Sequence, residues 1–170
     1  MAIDLTLKGS EITNREATPR VLNKPGLGEG AVEKCAYGQI ASVTAALSIT
    51  SIIRLVSVPS NAIITDLRLS SGAQTAGAFD IGLYRTNGDG GAVVDQDFFA
   101  SAVSCAAAVV NSDVLNESTT NTLAKQAQPI WQAAGMSTDP KSQLDICATV
   151  ATTDVTTGTG ALALRVRFVQ

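Results

Sequence analysis

With 170 residues the chain is long enough for one domain with a full hydrophobic core and short for two. Hydrophobic residues make up 45% of it, charged residues 16% and aromatics only 4%, and the abundance of small and β-branched residues favours pleated sheet over helix. The net charge of −3 offers no cationic excess to neutralise nucleic-acid phosphates, and the absence of histidine removes Ser-His-Asp and Cys-His nucleophiles and the usual zinc sites.

The N-terminal segment, residues 1–37, holds ten of the 27 charged residues, five of each sign, so the whole net charge belongs to residues 38–170. It also contains Pro19, Pro25, Gly26, Gly28 and Gly30 and keeps no sustained period of 2 or 3.6. These features predict an extended arm followed by a single domain over 38–170. A disordered terminus is the plainer alternative. Against it stand the apolar anchors Ile3, Leu5, Leu7, Val21, Leu22 and Leu27, which suit burial against a partner. No run approaches about 18 apolar residues, and Met1-Ala2-Ile3-Asp4 lacks the basic and apolar regions of a signal peptide, so the expected location is a cytoplasm.

From Gly38 onward β signals follow one another. Ala41 to Ile49 and Ser51 to Val58 are rich in β-branched residues, and Pro59-Ser60-Asn61 supplies a turn. Ile63, Thr65, Leu67 and Leu69 alternate with Ile64, Asp66, Arg68 and Ser70, which predicts a strand with the first set buried. Phe79, Ile81 and Leu83 alternate likewise with Asp80, Gly82 and Tyr84. Asn87-Gly88-Asp89-Gly90-Gly91 is a strong turn. Thr122 to Ala134 has the composition of a helix, or of two short helical turns divided at Pro129, and Asp139-Pro140 ends it. Leu144, Ile146, Ala148 and Val150 alternate with Asp145, Cys147, Thr149 and Ala151. The last strand has Leu162, Leu164, Val166 and Phe168 on one face and Ala163, Arg165, Arg167 and Val169 on the other. The fold class is therefore all-β: an antiparallel β-sandwich of jelly-roll type with one short helix and an N-terminal arm, another sandwich topology being the alternative.

Few residues suggest chemistry. Neither a GxxxxGK[ST] loop nor a GxGxxG between strand and helix is present. Asp89, Asp95 and Asp97 gather carboxylates near one turn, as a calcium loop does, but their spacing departs from D-x-[DN]-x-[DN]-G, and a solvated turn is expected. A two-carboxylate glycosidase would need a sugar cleft that seven aromatics can hardly line. Cys35, Cys105 and Cys147 are odd in number and widely spaced, which predicts buried, reduced thiols. Trp131 either plugs the open end of the sandwich from a short helix or anchors an interface. Arg165 and Arg167 share a strand face and serve either as an interfacial ion-pair ladder or to keep an exposed strand soluble. No enzyme activity, cofactor or metal is expected.

The runs Ile64–Leu69, Phe79–Arg85, Gly91–Ala100, Ile130-Trp131 and Asp145–Thr149 resemble small proteins encoded among the structural genes of tailed bacteriophages, namely capsid decoration or cement proteins. The resemblance spans roughly Ala62 to Gln170 and lies in strand patterns. It implies a jelly-roll virion protein that sits outside the head as a homotrimer, with the major capsid protein shell and its own copies as partners and with neither nucleic acid nor membrane. Leu5, Leu7, Val21, Leu22 and Leu27 of the arm, with Arg165 and Arg167, are the expected partner-binding residues. A jelly-roll carbohydrate- or receptor-binding module of a phage tail or fibre is the alternative, and an exposed aromatic platform or ordered calcium would favour it.

Overall fold

The computed structural model describes residues 18–19, 32–42, 46–74, 77–155 and 160–170. The chain divides into two compact units, Met1–Val32 and Glu33–Gln170, and the strands among the described residues belong to the second. They are β1 (Glu33–Ile40), β2 (Ile52–Pro59), β3 (Ile63–Ser71), β4 (Ala78–Arg85), β5 (Val93–Ser104), β6 (Val109–Asp113), β7 (Gln143–Val150) and β8 (Leu162–Val169), with a short helix α1 (Ile130–Ala133) between β6 and β7.

Two four-stranded sheets form, ordered β1-β8-β3-β6 and β2-β7-β4-β5. The pairs β1·β8, β2·β7, β3·β6 and β4·β5 are all antiparallel and nest outward from the β4–β5 connection. One long hairpin has thus been wrapped into two layers, which is the jelly-roll arrangement anticipated from the strand and turn pattern. The core lies between the layers and includes Val58, Leu67, Leu69, Phe79, Ile81, Leu83, Leu144, Ile146, Ala148, Leu162, Leu164 and Val166. Each of the Val, Leu, Ile and Phe side chains among these contributes about 1.5–3 kcal/mol when fully buried.

Strand β8 follows the alternation expected of it, with Leu162, Leu164 and Val166 fully buried. Strand β3 does not. Its register against β8 slips between Ile64 and Asp66, and the extra residue reverses the facing of what precedes it. Ile64 therefore joins Leu67 and Leu69 in the core, while Ile63 and Thr65 are only partly buried. Strands β4 and β7 were expected to be half exposed, yet both faces are buried almost throughout. On the outward side of β4 the main chain of β5 crosses directly over Gly82: between the pairs Ile81↔Ala100 and Leu83↔Asp95, one residue of β4 opposes four of β5. A Cβ on Gly82 would sit 2.0 Å from the Gln96 carbonyl oxygen.

Ala41–Ile49 is not a strand among the described residues, where only Leu47 makes an isolated bridge, to Val155. Thr122–Ala134 resolves into the two short pieces expected: a turn over residues 123–127, then α1 beginning directly after Pro129. The first amides of α1 find acceptors in the β2–β3 turn, Ile130 N donating to Ala62 O at 2.8 Å and Trp131 N to Ser60 O at 3.1 Å. Ile130 and Ala133 face the core from this helix. Trp131 is only half-buried, so the apolar plug is Ile130.

Glu33–Tyr37, assigned above to the arm, form the first part of β1. The arm's anchors Ile3, Leu5, Leu7, Val21, Leu22 and Leu27 lie outside the described residues.

Candidate functional site

The outward face of the β1-β8-β3-β6 sheet carries a ladder of charged and polar side chains. Pairing register decides which side chains meet, because residues directly opposite in an antiparallel ladder share a face. Arg165 lies opposite Tyr37 on β1 and Arg68 on β3, and Arg68 lies opposite Asp113 on β6. One row thus runs Tyr37, Arg165, Arg68, Asp113 across four strands. The next row holds Cys35, Arg167 and Asp66, and the row on the other side holds Gln39, Ala163 and Ser70.

Ion pairs link the rows. Arg68 Nε donates to Asp66 Oδ1 at 2.6 Å, and its Nη2 lies 3.2 Å from Asp113 Oδ2. The hydrogen bond to Asp66 holds the Arg68 guanidinium above its ordinary pKa. Arg165 Nη2 is 4.0 Å from Asp66 Oδ2 and donates to Asn111 Oδ1 at 2.9 Å, while Arg167 Nη1 is 3.5 Å from Glu33 Oε2. Arg165 and Arg167 do share a face, as their spacing predicts, but their ionic partners lie in their own chain. Arg68, Arg165 and Arg167 balance Asp66, Asp113 and Glu33, so the ladder is formally neutral.

A recess of about 110 Å³ opens on this face, lined by Tyr37, Arg68, Ser70, Asn111, Ala163 and Arg165. Ala163 is the smallest side chain of the set. Asn111 is set in the left-handed region (φ 55°) by a bulge in β6, and its amide donates to Ser70 Oγ at 2.9 Å. Arg165 Nε is shielded from solvent without an acceptor. Tyr37 is 62% exposed, and its hydroxyl donates to Gln39 Oε1. Tyr37 was hidden from sequence reasoning because the charged, aperiodic segment before it carried it into the arm; the alternation Cys35, Tyr37, Gln39 is the signal that could have placed it on a strand.

The other sheet carries polar groups on its outward face too, but buried. Arg54 Nη1 bridges Asp145 Oδ2 and the Arg85 carbonyl, each at 2.7 Å, and Arg54 Nη2 donates to the Gly91 carbonyl at 3.0 Å. Ser57 Oγ donates to Asp145 Oδ1 at 2.5 Å, and the Tyr84 and Thr149 hydroxyls are 2.6 Å apart. Asp80 receives Gln96 Nε2 and the Ala102 amide, both at 2.7 Å. This network stitches β2, β4, β5 and β7 together.

The three carboxylates of the supposed calcium loop do not act as a set. Asp89 closes the 3-10 turn Asn87–Asp89 through Thr86, whereas Asp95 and Asp97 pair with each other, burial and then the Asp97 hydrogen bond raising the Asp95 carboxyl above its usual range. Among the described residues no three metal-ligating side chains converge. Cys105 and Cys147 are buried as expected, but Cys35 is exposed on β1, because it sits on the solvent face of an edge strand. Burial raises the Cys105 thiol and pushes that of Cys147 up to about 12. A second, open concavity lies at one end of the sandwich among Ser60, Asn61, Asp139, Lys141, Gln143 and Gln170.

No family model and no curated protein matches this chain. Among solved structures it is similar to a chain of the cyanophage Pam1 capsid asymmetric unit, at 15% identity and TM-score 0.46, over 91% of this chain and 96% of that one. It is also similar to a chain from the capsid of Ralstonia phage GP4, at 15% identity and TM-score 0.47, over 84% and 87%.

Proposed function

We propose that this chain is a structural virion protein of a tailed bacteriophage, a decoration protein without enzymatic activity that binds the outside of the head as a homotrimer and stabilises the major capsid protein shell. On this reading it is assembled in the host cytoplasm and uses neither nucleic acid nor membrane. The observation that carries the proposal is where the decoration-like segments fall: Ile64–Leu69 in β3, Phe79–Arg85 in β4, Gly91–Ala100 leading into β5, Ile130-Trp131 in α1 and Asp145–Thr149 in β7. The resemblance therefore follows the framework of one sandwich rather than a local motif.

A cement role asks for a rigid body and several modest contacts. Once one subunit of an oligomer is docked on a symmetric shell, the others meet a high effective concentration of sites, so weak contacts add to firm attachment. The neutral, internally paired ladder on the β1-β8-β3-β6 sheet suits a protein surface of mixed sign better than a polyanion.

Co-sedimentation of the purified chain with empty phage heads tests the proposal. Saturable binding at a fixed ratio to shell subunits is expected, with a trimer by light scattering. Failure to bind heads at tens of micromolar protein would sink the cement role, and a monomer both free and on heads would remove the trimer.

A further inference from the structure

We propose that the recess around Ala163 is a binding site for one neutral sugar residue, with the Tyr37 ring as the platform for its C–H face. The inference is independent of the head-binding reading.

The first argument is construction. The recess rests on hydrogen-bonded strands β1, β8 and β3, and its polar side chains are already held: Arg68 by Asp66 and Asp113, Arg165 by Asn111, and the Asn111 main chain by Ser70. A ligand entering a preformed site avoids most of the cost of ordering side chains. Capacity nevertheless remains. The Asn111 carboxamide nitrogen has both hydrogens to donate, the Ser70 hydroxyl hydrogen is free to turn, and Tyr37 Oη, which donates to Gln39, still offers an acceptor.

The second argument is charge. Arg68 and Arg165, the charged residues lining the recess, stand against Asp66 and Asp113 beside it, so the cluster sums to zero formal charge, and the Arg165 Nε–H left without an acceptor can donate to a hydroxyl oxygen. A polyol needs no net field. It needs donors and acceptors side by side together with an apolar surface, and the ring of the exposed Tyr37 beside these groups provides that surface.

The third is size. At about 110 Å³ the recess is well below the roughly 300 Å³ at which drug-sized sites begin. One ring can enter, and the rest of a glycan would run over the open sheet face. Ala163 sets the floor, since a longer side chain there would occupy the space the ring needs.

Titration of the full chain with glucose, galactose and N-acetylglucosamine, followed by amide NMR shifts, tests the site, with acetate as the charged comparator. At least one neutral sugar should give saturable shifts centred on Tyr37, Asn111, Ala163 and Arg165, while acetate gives none there. Tyr37→Ala, at an exposed position, should weaken binding about tenfold with the spectrum otherwise preserved. Ala163→Leu should abolish it. The proposal is overturned if none of the three sugars shifts these residues saturably, if acetate does so in their place, or if sugar binding survives both substitutions unchanged.

Discussion

Arg54 and Asp145 meet across β2 and β7, Nη1 to Oδ2 at 2.7 Å, and the same guanidinium holds the carbonyls of Arg85 and Gly91. One side chain thereby fixes the end of β4 and the turn leading into β5 to the opposite edge of their sheet. Asp145 is nearly buried and also accepts from Ser57. Asp145→Ala would leave a largely desolvated guanidinium without its counter-charge, and breaking a buried pair from one side is the costly way to break it. A loss of about 2–3 kcal/mol is expected in denaturant unfolding. Removing Arg54 as well should cost less than the two single changes added together, since the residues share one interaction.

Gly82 sets a different kind of limit. Its missing Cβ leaves room for the Gln96 carbonyl and the Asp95 oxygen, which would otherwise lie 2.0 and 2.3 Å away. Both obstacles are main chain and cannot swing aside. Gly82→Ala should cost upwards of about 3 kcal/mol or prevent folding. Gly90 has open space around it but a φ of +87°, so Gly90→Ala is predicted to cost only about 1 kcal/mol. Thermal melting of the two variants side by side checks the order.

How much of this could be read in the sequence depends on how local each cause was. Strand β8 was legible because Leu162, Leu164, Val166 and Phe168 alternate without interruption. Strand β3 misled by one residue, since the bulge near Thr65 arises from its pairing with β8, about a hundred positions away in the chain. The burial of Asp80 and Tyr84 on the outward side of β4 was equally hidden: the bulged β5 lies over Gly82, and the groups that meet Tyr84 and Asp80 come from β7 and β5. Strand β6 was missed because Val109-Val110-Asn111-Ser112-Asp113 is short and bulged. At the candidate site, the spacing of Arg165 and Arg167 gave their common face. Asp66 and Asn111, which decide whether those cations are spare, could be assigned only once the strands had been paired.

The cysteines should separate by exposure. Cys35 is exposed, whereas Cys105 and Cys147 are buried, so a thiol reagent should label one site rapidly in the native protein and three after denaturation. For Cys147 the direction of the pH effect follows from burial, which favours the neutral thiol and raises its pKa from 9.0 to about 12. Between those values the unfolded chain releases a proton that the folded one retains, so this group makes stability fall as pH rises from about 9 toward 12. Cys147→Ala should reduce that fall. An unchanged alkaline slope would contradict the assignment.

Asp95 gives the opposite experiment at acid pH. Burial, then its pairing with Asp97, raises its carboxyl above the ordinary 3.8, which means the ionised form is penalised in the folded state. Replacing it by Asn removes the charge and keeps the shape. At pH 7 Asp95→Asn should be more stable than the parent by about 0.5 kcal/mol, a partly exposed site setting the scale. Once pH has fallen below the unfolded pKa, the parent carboxyl is protonated in both states and the advantage should vanish. Urea midpoints at pH 7 and pH 3 decide the matter.

The boundary at Glu33 predicts that two truncations five residues apart behave differently. A chain beginning at Glu33 keeps every strand pair found among the described residues, because β1 runs from Glu33 to Ile40 against Val169 to Leu162. A chain beginning at Gly38 loses the pairs from Glu33↔Val169 to Tyr37↔Arg165 and uncovers most of one edge of β8. It also loses the Arg167–Glu33 ion pair at 3.5 Å and the hydrogen bonds from Lys34 to Gln170 at 3.0 Å and from Thr65 to Glu33 at 2.9 Å. An uncovered strand edge carries unpaired amides and carbonyls ready to join another chain. The longer form should therefore melt cooperatively with a β-type circular dichroism spectrum, while the shorter melts lower and aggregates. Only the longer form can then ask whether Leu5, Leu7, Val21, Leu22 and Leu27 attach the protein to a head. If it stays folded and no longer co-sediments with heads, docking belongs to residues 1–32. If it binds undiminished, attachment belongs to the sandwich, and the first 32 residues have another use.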